Sequence, residues 1–335
     1  MTLAIAAASY PDLSLECFAD VSVKGYLMTV SGEIKPSDIG YTLSHEHILV
    51  DFIGADLYNP TRWNHEDVIR VVVPYLLEIM KLGCRTLVEC TPAYIGRDPL
   101  LLRKISDQIE LNILTNTGYY GAADNKYLPS KVYSLDTREL ADIWIKEFEY
   151  GIADTGIKPG FIKIGVAPGP LSELRKKIVI AAGFTHLETG LSIASHTGPA
   201  LPAFEQIYLL KSIGIKPEAF IWVHAQNEPE LSERLKAARI GAWVSLDSVN
   251  ENNVIQYVEW LQEFKQKGLL NNILVSQDAG WYSPGEPNGG GFTPYSTVFN
   301  KLIPELRNKR FTRKDIEQVF VKNPGKAFKT RIRKP

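Results

Sequence analysis

One repeated alternation constrains this chain more than any other feature. Eight short apolar runs are each followed by a segment with helical spacing. The runs are Tyr41–His45, Arg85–Glu89, Asn112–Asn116, Gly160–Gly165, Leu191–His196, Ala219–His224, Gly241–Leu246 and Asn272–Gln277. They are rich in Ile and Val, the character of strands covered on both faces, as in a parallel sheet flanked by helices. Helical segments start near His65, Pro99, Thr137, Ser172, Pro202, Pro229 and Asn253, and Gly83 supplies a stop after the first. Two more, about Thr297–Arg307 and Thr312–Val321, close the chain. Strands and helices in this order predict an α/β fold, a (β/α)8 TIM barrel. The competing open doubly wound sheet usually carries a glycine-rich phosphate turn after its first strand, and none follows Tyr41–His45. Gly289-Gly290-Gly291 lies in the last loop with no Lys-Ser/Thr behind it, so it is a flexible loop and not a phosphate cradle. Ahead of the barrel, residues 1–19 show no period. Val21–Ile34 alternates as two short strands around Lys24-Gly25, which predicts a hairpin extension capping the barrel bottom. The expected organisation is an N-terminal arm and hairpin over 1–39, the barrel over 40–330, and a solvated basic tail at 331–335 within a basic run from Lys326.

Composition narrows the class of function. With 45% hydrophobic and 22% charged residues the chain is ordinary for a globular protein. A net charge of -1 provides no global field for nucleic acid or an acidic membrane surface. No apolar stretch reaches the roughly 20 residues of a transmembrane segment. Cys17, Cys84 and Cys90 are an odd count without framework spacing; Cys84 and Cys90 sit in or beside an apolar run and are expected as buried thiols. This suits a cytoplasmic protein. Leu3–Ser9, small and apolar without a basic flank, leaves an exported or periplasmic location open as the remnant of a signal.

The ends of the strands carry the chemistry. In an extended strand residues two apart share a face, so His45 and His47 project side by side. Such a pair alone is as compatible with surface or core histidines as with a metal site. A barrel, however, gathers its catalytic residues at the C-terminal ends of its strands. The later strands end in Lys163, His196, His224 and Asp278, so four of the six histidines fall on one rim. That is the ligand chemistry of a metal site. His65, at a helix start, and His186, inside a helix, are expected as ordinary surface or capping residues. Lys163 sits between Ile162 and Ile164, which face helices, and alternation turns it into the barrel. A bare ammonium there is costly and repels cations. It either reaches the rim for an ion pair or an anionic substrate, or is converted by CO2 to a carbamate, an anionic oxygen ligand able to bridge two ions.

At this point the chain resembles the phosphotriesterase-like branch of the amidohydrolase superfamily. The resemblance spans Val30 to Phe328. It rests on Gly40-Tyr41-Thr42-Leu43-Ser44-His45-Glu46-His47, Ile95-Gly96-Arg97-Asp98, Gly160-Phe161-Ile162-Lys163-Ile164, Ser195-His196-Thr197, His224, Ile273-Leu274-Val275-Ser276-Gln277-Asp278 and Asn323-Pro324. It implies two divalent ions, usually Zn2+. His45, His47 and Asp278 would hold the more buried ion, His196 and His224 the more exposed one, and a carbamate on Lys163 would bridge them. A homodimer is also implied. Two positions depart from the pattern: Asn227 stands where relatives often carry an acid, and Ser248 follows Asp247 where phosphotriester- and lactone-hydrolysing relatives tend to carry His or Arg.

The expected activity is that of a hydrolase acting on a small-molecule lactone or other carboxylic ester, with a hydroxide shared by the two ions as nucleophile and Asp278 taking its proton. A phosphotriester or phosphate-ester hydrolase with the same site is the near alternative. A deaminase or amidase shares the ligand scheme, and a metal-bearing binding protein without turnover is kept open by Asn227 and Ser248. Tyr94, Tyr119, Tyr120, Tyr127, Trp281 and Tyr282 are expected around the substrate. Arg97 is a candidate anion contact, with an ion pair to Asp98 or a structural bond to the rim as the alternative, and Gly280–Thr293 a candidate lid. Elemental analysis of protein purified without chelator and with bicarbonate present should find about two divalent ions per chain, and Lys163→Ala should lose them.

Overall fold

The computed structural model describes residues 25–335. The expected arm over 1–19, Cys17 and the first residues of the hairpin lie outside them. Two short strands, β1 (Leu27–Thr29) and β2 (Gly32–Ile34), form an antiparallel hairpin. Its turn is at Val30-Ser31, not at Lys24-Gly25 as predicted. The reason is local: Thr29 Oγ1 accepts from Ser31 N–H at 3.2 Å and donates to Gly32 O at 2.7 Å, while Gly32 takes φ +117°. Leu27 packs beneath the barrel with Ile39, Phe161 and Phe328, so the hairpin does close the bottom.

The barrel strands follow in order: β3 (Tyr41–Leu49), β4 (Cys84–Glu89), β5 (Asn112–Leu114), β6 (Asn116–Thr117), β7 (Phe161–Gly165), β8 (Ile193–His196), β9 (Phe220–Val223), β10 (Trp243–Leu246) and β11 (Ile273–Val275). All pair in parallel with their neighbours. The third barrel strand is broken at Thr115: β5 pairs with β4 and β6 with β7. Closure falls between β11 and β3, where Asp278 N–H donates to His45 O at 3.1 Å. A further strand, β12 (Gly280–Tyr282), lies along the outer half of β3, which therefore runs four residues beyond its predicted end. Around the sheet stand α1 (His65–Lys81), α2 (Pro99–Ile109), the single turn α3 (Lys131–Ser134), α4 (Thr137–Tyr150), α5 (Glu173–Thr189), α6 (Ala200–Ser212), α7 (Leu231–Arg239) and α8 (Val254–Gln266). The protein is a (β/α)8 barrel with an N-terminal hairpin. Among the described residues no helix is long and apolar enough to cross a membrane.

Strand alternation sorts the side chains as the sequence predicts. In β7, Ile162 and Ile164 face the helices, while Phe161 joins the interior layer with Val88, Leu114, Ile221 and Leu274. Lys163, two residues past Phe161, points into the barrel above that layer. Cys84 and Cys90 are buried free thiols, as expected.

The closing helices differ from the prediction. Each contains a π turn, Val298–Leu302 before α9 (Ile303–Asn308) and Gln318–Lys322 between α10 (Arg313–Glu317) and α11 (Asn323–Ala327). The second runs past Val321 because Asn323 anchors it, its Nδ2 donating to Leu270 O at 2.6 Å and Ile273 O at 2.7 Å. Pro324 follows at a position near the helix start where its missing N–H is no loss.

The tail is docked through its backbone and Arg333, while the side chains of Arg331, Ile332, Lys334 and Pro335 stay exposed. Thr330 N–H donates to Tyr26 O, Arg331 N–H to Gly190 O, and Lys216 N–H to Arg333 O. Buried Arg333 directs its guanidinium at the carbonyls of Lys326, Lys329 and Arg331, so uncapped carbonyls, not water, take up its charge. His186, expected at the surface, is fully buried beneath it. Its Nε2 accepts from Arg333 N–H at 3.0 Å, and its Nδ1 lies 2.8 Å from Leu191 O. Those two partners require a neutral ring, and burial lowers its pKa from 6.5 to about 4. The unfolded chain then binds the extra proton between those values, so stability falls as pH drops through this window. The contribution is on the order of 3 kcal/mol. Urea denaturation at pH 7 and pH 4.5 should show a smaller pH-dependent loss in His186→Gln than in the wild type.

Candidate metal centre

The site grows from β3. Its alternation sets the imidazoles of His45 and His47 side by side, ring centroids 5.4 Å apart. β7 brings Lys163, with Nζ 3.3 Å from His45 Nε2. β8 brings His196 and His224 directly follows β9; the two rings lie 4.4 Å apart, and His224 is 5.1 Å from His45. Asp278 comes from the turn after β11, its Oδ1 2.9 Å from His47 Nε2 and 3.6 Å from His45 Nε2. All six residues predicted as ligands thus meet on one rim. His224 and Asp278 both hold left-handed backbones, φ +60° and +54°, rare for residues with a Cβ and typical of functional turns.

Hydrogen bonds behind the rings decide which nitrogens face inward. His224 Nδ1 donates to Asp247 Oδ1 at 2.6 Å, and His45 Nδ1 lies 3.4 Å from Asp247 Oδ2. His47 Nδ1 is 2.7 Å from Thr91 Oγ1. Each leaves Nε2 free, the arrangement by which outer partners orient metal-binding imidazoles. Asp247 is fully buried and is itself held by Gln226, whose Nε2 donates to Oδ1 at 3.1 Å. Burial, then Lys163, lowers the pKa of His45 to about 4. Burial also lowers His47 and, further, His196. Burial pulls His224 the same way, but Asp247 and Asp278 overcome it and raise its pKa. Burial opposes the ionised form of Asp278, yet the imidazoles hold its pKa well below the usual carboxylate range.

The donor set fits divalent ions. Among the described residues Asp278 Oδ1 is a buried oxygen without a hydrogen-bond partner, although His47 Nε2 stands 2.9 Å away: the two atoms are close but not aligned as donor and acceptor. Ligand atoms of His45, His224 and Asp278 all lie within 4.8 Å of one another. Burial favours the neutral ring in His45, His47 and His196 and the imidazoles favour the ionised form of Asp278, the protonation states that metal binding requires. Lys163 is 2% exposed, and the partner of its Nζ is His45 Nε2.

Over the cluster lies a pocket of about 180 Å³. Its wall is Val50, Phe52, Pro92, Ile95, Tyr120, Tyr127 and Trp281, with Cys90 at the floor. Tyr120 stacks edge-on to His196, ring centroids 5.0 Å apart, and Trp281 to His47 at 5.5 Å. Other predicted substrate contacts are elsewhere. Tyr94, Arg97 and Tyr119 line a separate cleft between α2 and α4. Successive residues on two loops face opposite sides, Tyr94 and Ile95 on one, Tyr119 and Tyr120 on the other. Arg97 pairs with neither Asp98 nor a free anion: Glu147 takes it through two bonds of 2.8 and 2.7 Å, the bidentate geometry that best offsets burying a guanidinium. Asp98 instead caps α2 and accepts from Trp63 and His65. Tyr282 reaches neither cavity and packs on Gly289. Of the supposed lid only Trp281 lines the pocket, because Gly280 and Thr293 exchange backbone bonds of 3.0 and 2.9 Å that fold the segment back on itself.

The two departures have structural answers. Asn227 sits in a short 3-10 turn after His224, and Glu228 turns outward to accept from Ala200 N–H at 2.7 Å. Ser248 N–H donates to Tyr257 OH at 2.9 Å. Sequence reasoning missed Asp247 and Thr91 as orienting groups, and Val50, Phe52, Pro92 and Ile95 as pocket wall. Asp247 did carry a signal, an acid at the end of a barrel strand. The wall residues carried none, since isolated apolar loop residues have no distinctive spacing.

The family description that matches this sequence over residues 25–328 is the Phosphotriesterase family. The chain belongs to the phosphotriesterase family. It is 30% identical over 293 residues to a phosphotriesterase homology protein of Escherichia coli, covering 86% of this chain and 98% of the relative. It is 25% identical over 366 residues to an N-acetyltaurine hydrolase of Dictyostelium discoideum, covering 91% and 98%. A crystal structure of the phosphotriesterase homology protein from Escherichia coli, complexed with phosphate in its active site, superposes with a TM-score of 0.75 at 28% identity, covering 87% of this chain and 99% of that one. In Asp247→Asn, divalent-metal affinity measured by chelator competition should fall roughly 10–100-fold while the circular dichroism spectrum stays as in the wild type.

Proposed function

We propose that this phosphotriesterase-family chain is a metal-dependent hydrolase of small, uncharged carboxylic esters, lactones foremost. The observation that carries the reading is the pocket itself: an apolar and aromatic wall set directly over the ligand cluster. Cations close to it are committed elsewhere. Lys126 Nζ donates to Phe52 O at 2.6 Å, Arg62 pairs with Asp51 at 2.6 Å, and Arg97 pairs with Glu147. A sulfonate, carboxylate or phosphate dianion entering here would lose its hydration without gaining a counter-ion from the wall. The volume favours a small ring or short acyl chain, since drug-sized ligands occupy roughly 300–1,000 Å³.

His45, His47 and Asp278 would hold one ion, His196 and His224 a second, and Lys163, as a carbamate, would join them. Imidazole and carboxylate oxygen suit Zn2+. When bound, the ions supply Lewis acidity and lower the pKa of water. The chain's own residues supply the rest. Asp278, kept ionised by its imidazole neighbours, accepts the proton of the attacking water and passes it toward the leaving group. Trp281 and Tyr120 clasp the substrate from opposite sides of the cluster. Phe52, Tyr127 and Ile95 exclude water around it.

Phosphotriesters are the second reading, favoured by the aromatic faces of Phe52, Tyr127 and Trp281, which suit an aryl leaving group. They too are uncharged. N-acetyltaurine, the substrate in one relative's name, carries a sulfonate that this wall does not pair. A panel of a γ-lactone, an aryl carboxylic ester, an aryl phosphotriester and N-acetyltaurine should rank the neutral carboxyl compounds first and N-acetyltaurine last by kcat/KM. N-acetyltaurine at the top would overturn the reading. Asp278→Asn that retains its metals should lose about 100-fold or more in kcat, and undiminished turnover would remove Asp278 as the proton acceptor.

A further inference from the structure

We infer that Glu46 is a positioning residue, the clamp that aims Asp278 at the cluster; the inference rests on the proposed metal-dependent reading and deepens it. Glu46 lies between His45 and His47, so alternation sends it from the opposite face of β3. It is fully buried, and its carboxylate is spent on one short segment. Oε1 accepts from Ser276 Oγ at 2.6 Å and from Gln277 N–H at 3.0 Å, and Oε2 accepts from Ala279 N–H at 2.7 Å. These three donors flank Asp278 on both sides and leave it out.

The turn needs such a clamp. Asp278 holds φ +54° and Trp281 φ +79°, conformations that residues with a Cβ keep only where the surroundings fix them. β11 ends at Val275; Ser276 N–H still donates to Leu246 O at 3.0 Å and its carbonyl accepts from Val249 N–H at 3.1 Å, but the regular ladder to β10 stops there. Backbone bonds to β3 help at the edges: Asp278 N–H reaches His45 O at 3.1 Å, and His47 N–H reaches Ala279 O at 2.9 Å. Ser276 Oγ, which donates to Glu46, also accepts from His45 N–H at 3.0 Å. One carboxylate therefore sets the relation between the strand carrying two candidate ligands and the turn carrying a third.

Glu46→Gln tests this with the smallest change. The amide keeps the reach but has one accepting oxygen, so in either orientation its NH2 faces a donor, Ala279 N–H or the Ser276–Gln277 pair. In the metal-free protein the readout is the indole N–H of Trp281, which donates to Asp278 O at 2.9 Å across this turn. Its 15N-edited NMR resonance, assigned with Trp281→Phe, should shift and exchange with solvent at least 10-fold faster in Glu46→Gln. In the Co2+-loaded protein the d–d absorption should change, Co2+ affinity should fall about 10-fold or more, and kcat should drop 10–100-fold with KM within about threefold. Unchanged indole exchange together with an unchanged Co2+ spectrum overturns the clamp. Should Glu46→Gln fail to fold, Ser276→Ala removes one of the three bonds and should move both readouts in the same direction, and no movement there overturns it equally. If the wild type takes up no Co2+, the metal-dependent reading falls, and the clamp is still decided by the indole signal alone.

Discussion

Six polar, metal-binding types of side chain stand buried or half-buried at the mouth of an apolar barrel, and the rest of the site answers that constraint. Desolvation opposes charge on every one of them. In the histidines it wins for His45, His47 and His196 and loses only at His224, where Asp247 sits against Nδ1. Asp247 is thus the pivot. One buried carboxylate faces two imidazoles from the side away from the cavity, sets their tautomers, and leaves their Nε2 atoms for the cluster. Ionic partners that share a carboxylate in this way offset burial that neither could sustain alone.

Beneath the cluster the barrel is filled by Phe161, Val88, Leu114, Ile221 and Leu274, with Leu27 and Phe328 at the bottom. That layer excludes water from below. The roof is built by two loops tied together, Lys126 Nζ reaching Phe52 O and Ala55 N–H reaching Lys126 O at 2.9 Å. Among the described residues, the polar groups between floor and roof are those of the cluster, the tyrosine hydroxyls, the Cys90 thiol and the Trp281 indole. In the proposed reading selectivity and reactivity have separate sources: strands and the turns that end them supply the candidate ligands, and loops supply the wall.

Strand order, helix order and the inward turn of Lys163 were all legible in the sequence, because burial on both faces leaves Ile and Val runs and because side chains alternate with period two. The ligand candidates were legible for the same reason, as each lies in a predicted strand or within two residues of its end. The hairpin turn was misplaced because Lys24-Gly25 looks like a turn, whereas the Thr29 hydroxyl makes one at Val30-Ser31. Arg333 was misjudged because its charge was taken for solvation like that of the exposed residues around it, and His186 went with it. Both are explained by backbone carbonyls and N–H groups that a sequence does not display.

By itself, then, the sequence determined the barrel, the rim on which its chemistry lies and the residues able to bind metal, since these depend on local periodicity. Tertiary structure decided what lies across the barrel from what. It turned Arg97 to Glu147, 50 residues away, and moved Tyr94 and Tyr119 into another cleft. It joined His45 and His224 through Asp247, and hung the Asp278 turn on Glu46, 230 residues distant from Ser276 in sequence. Such pairings have no spacing rule, because closure of the barrel brings together strands whose separation along the chain is set by the helices between them.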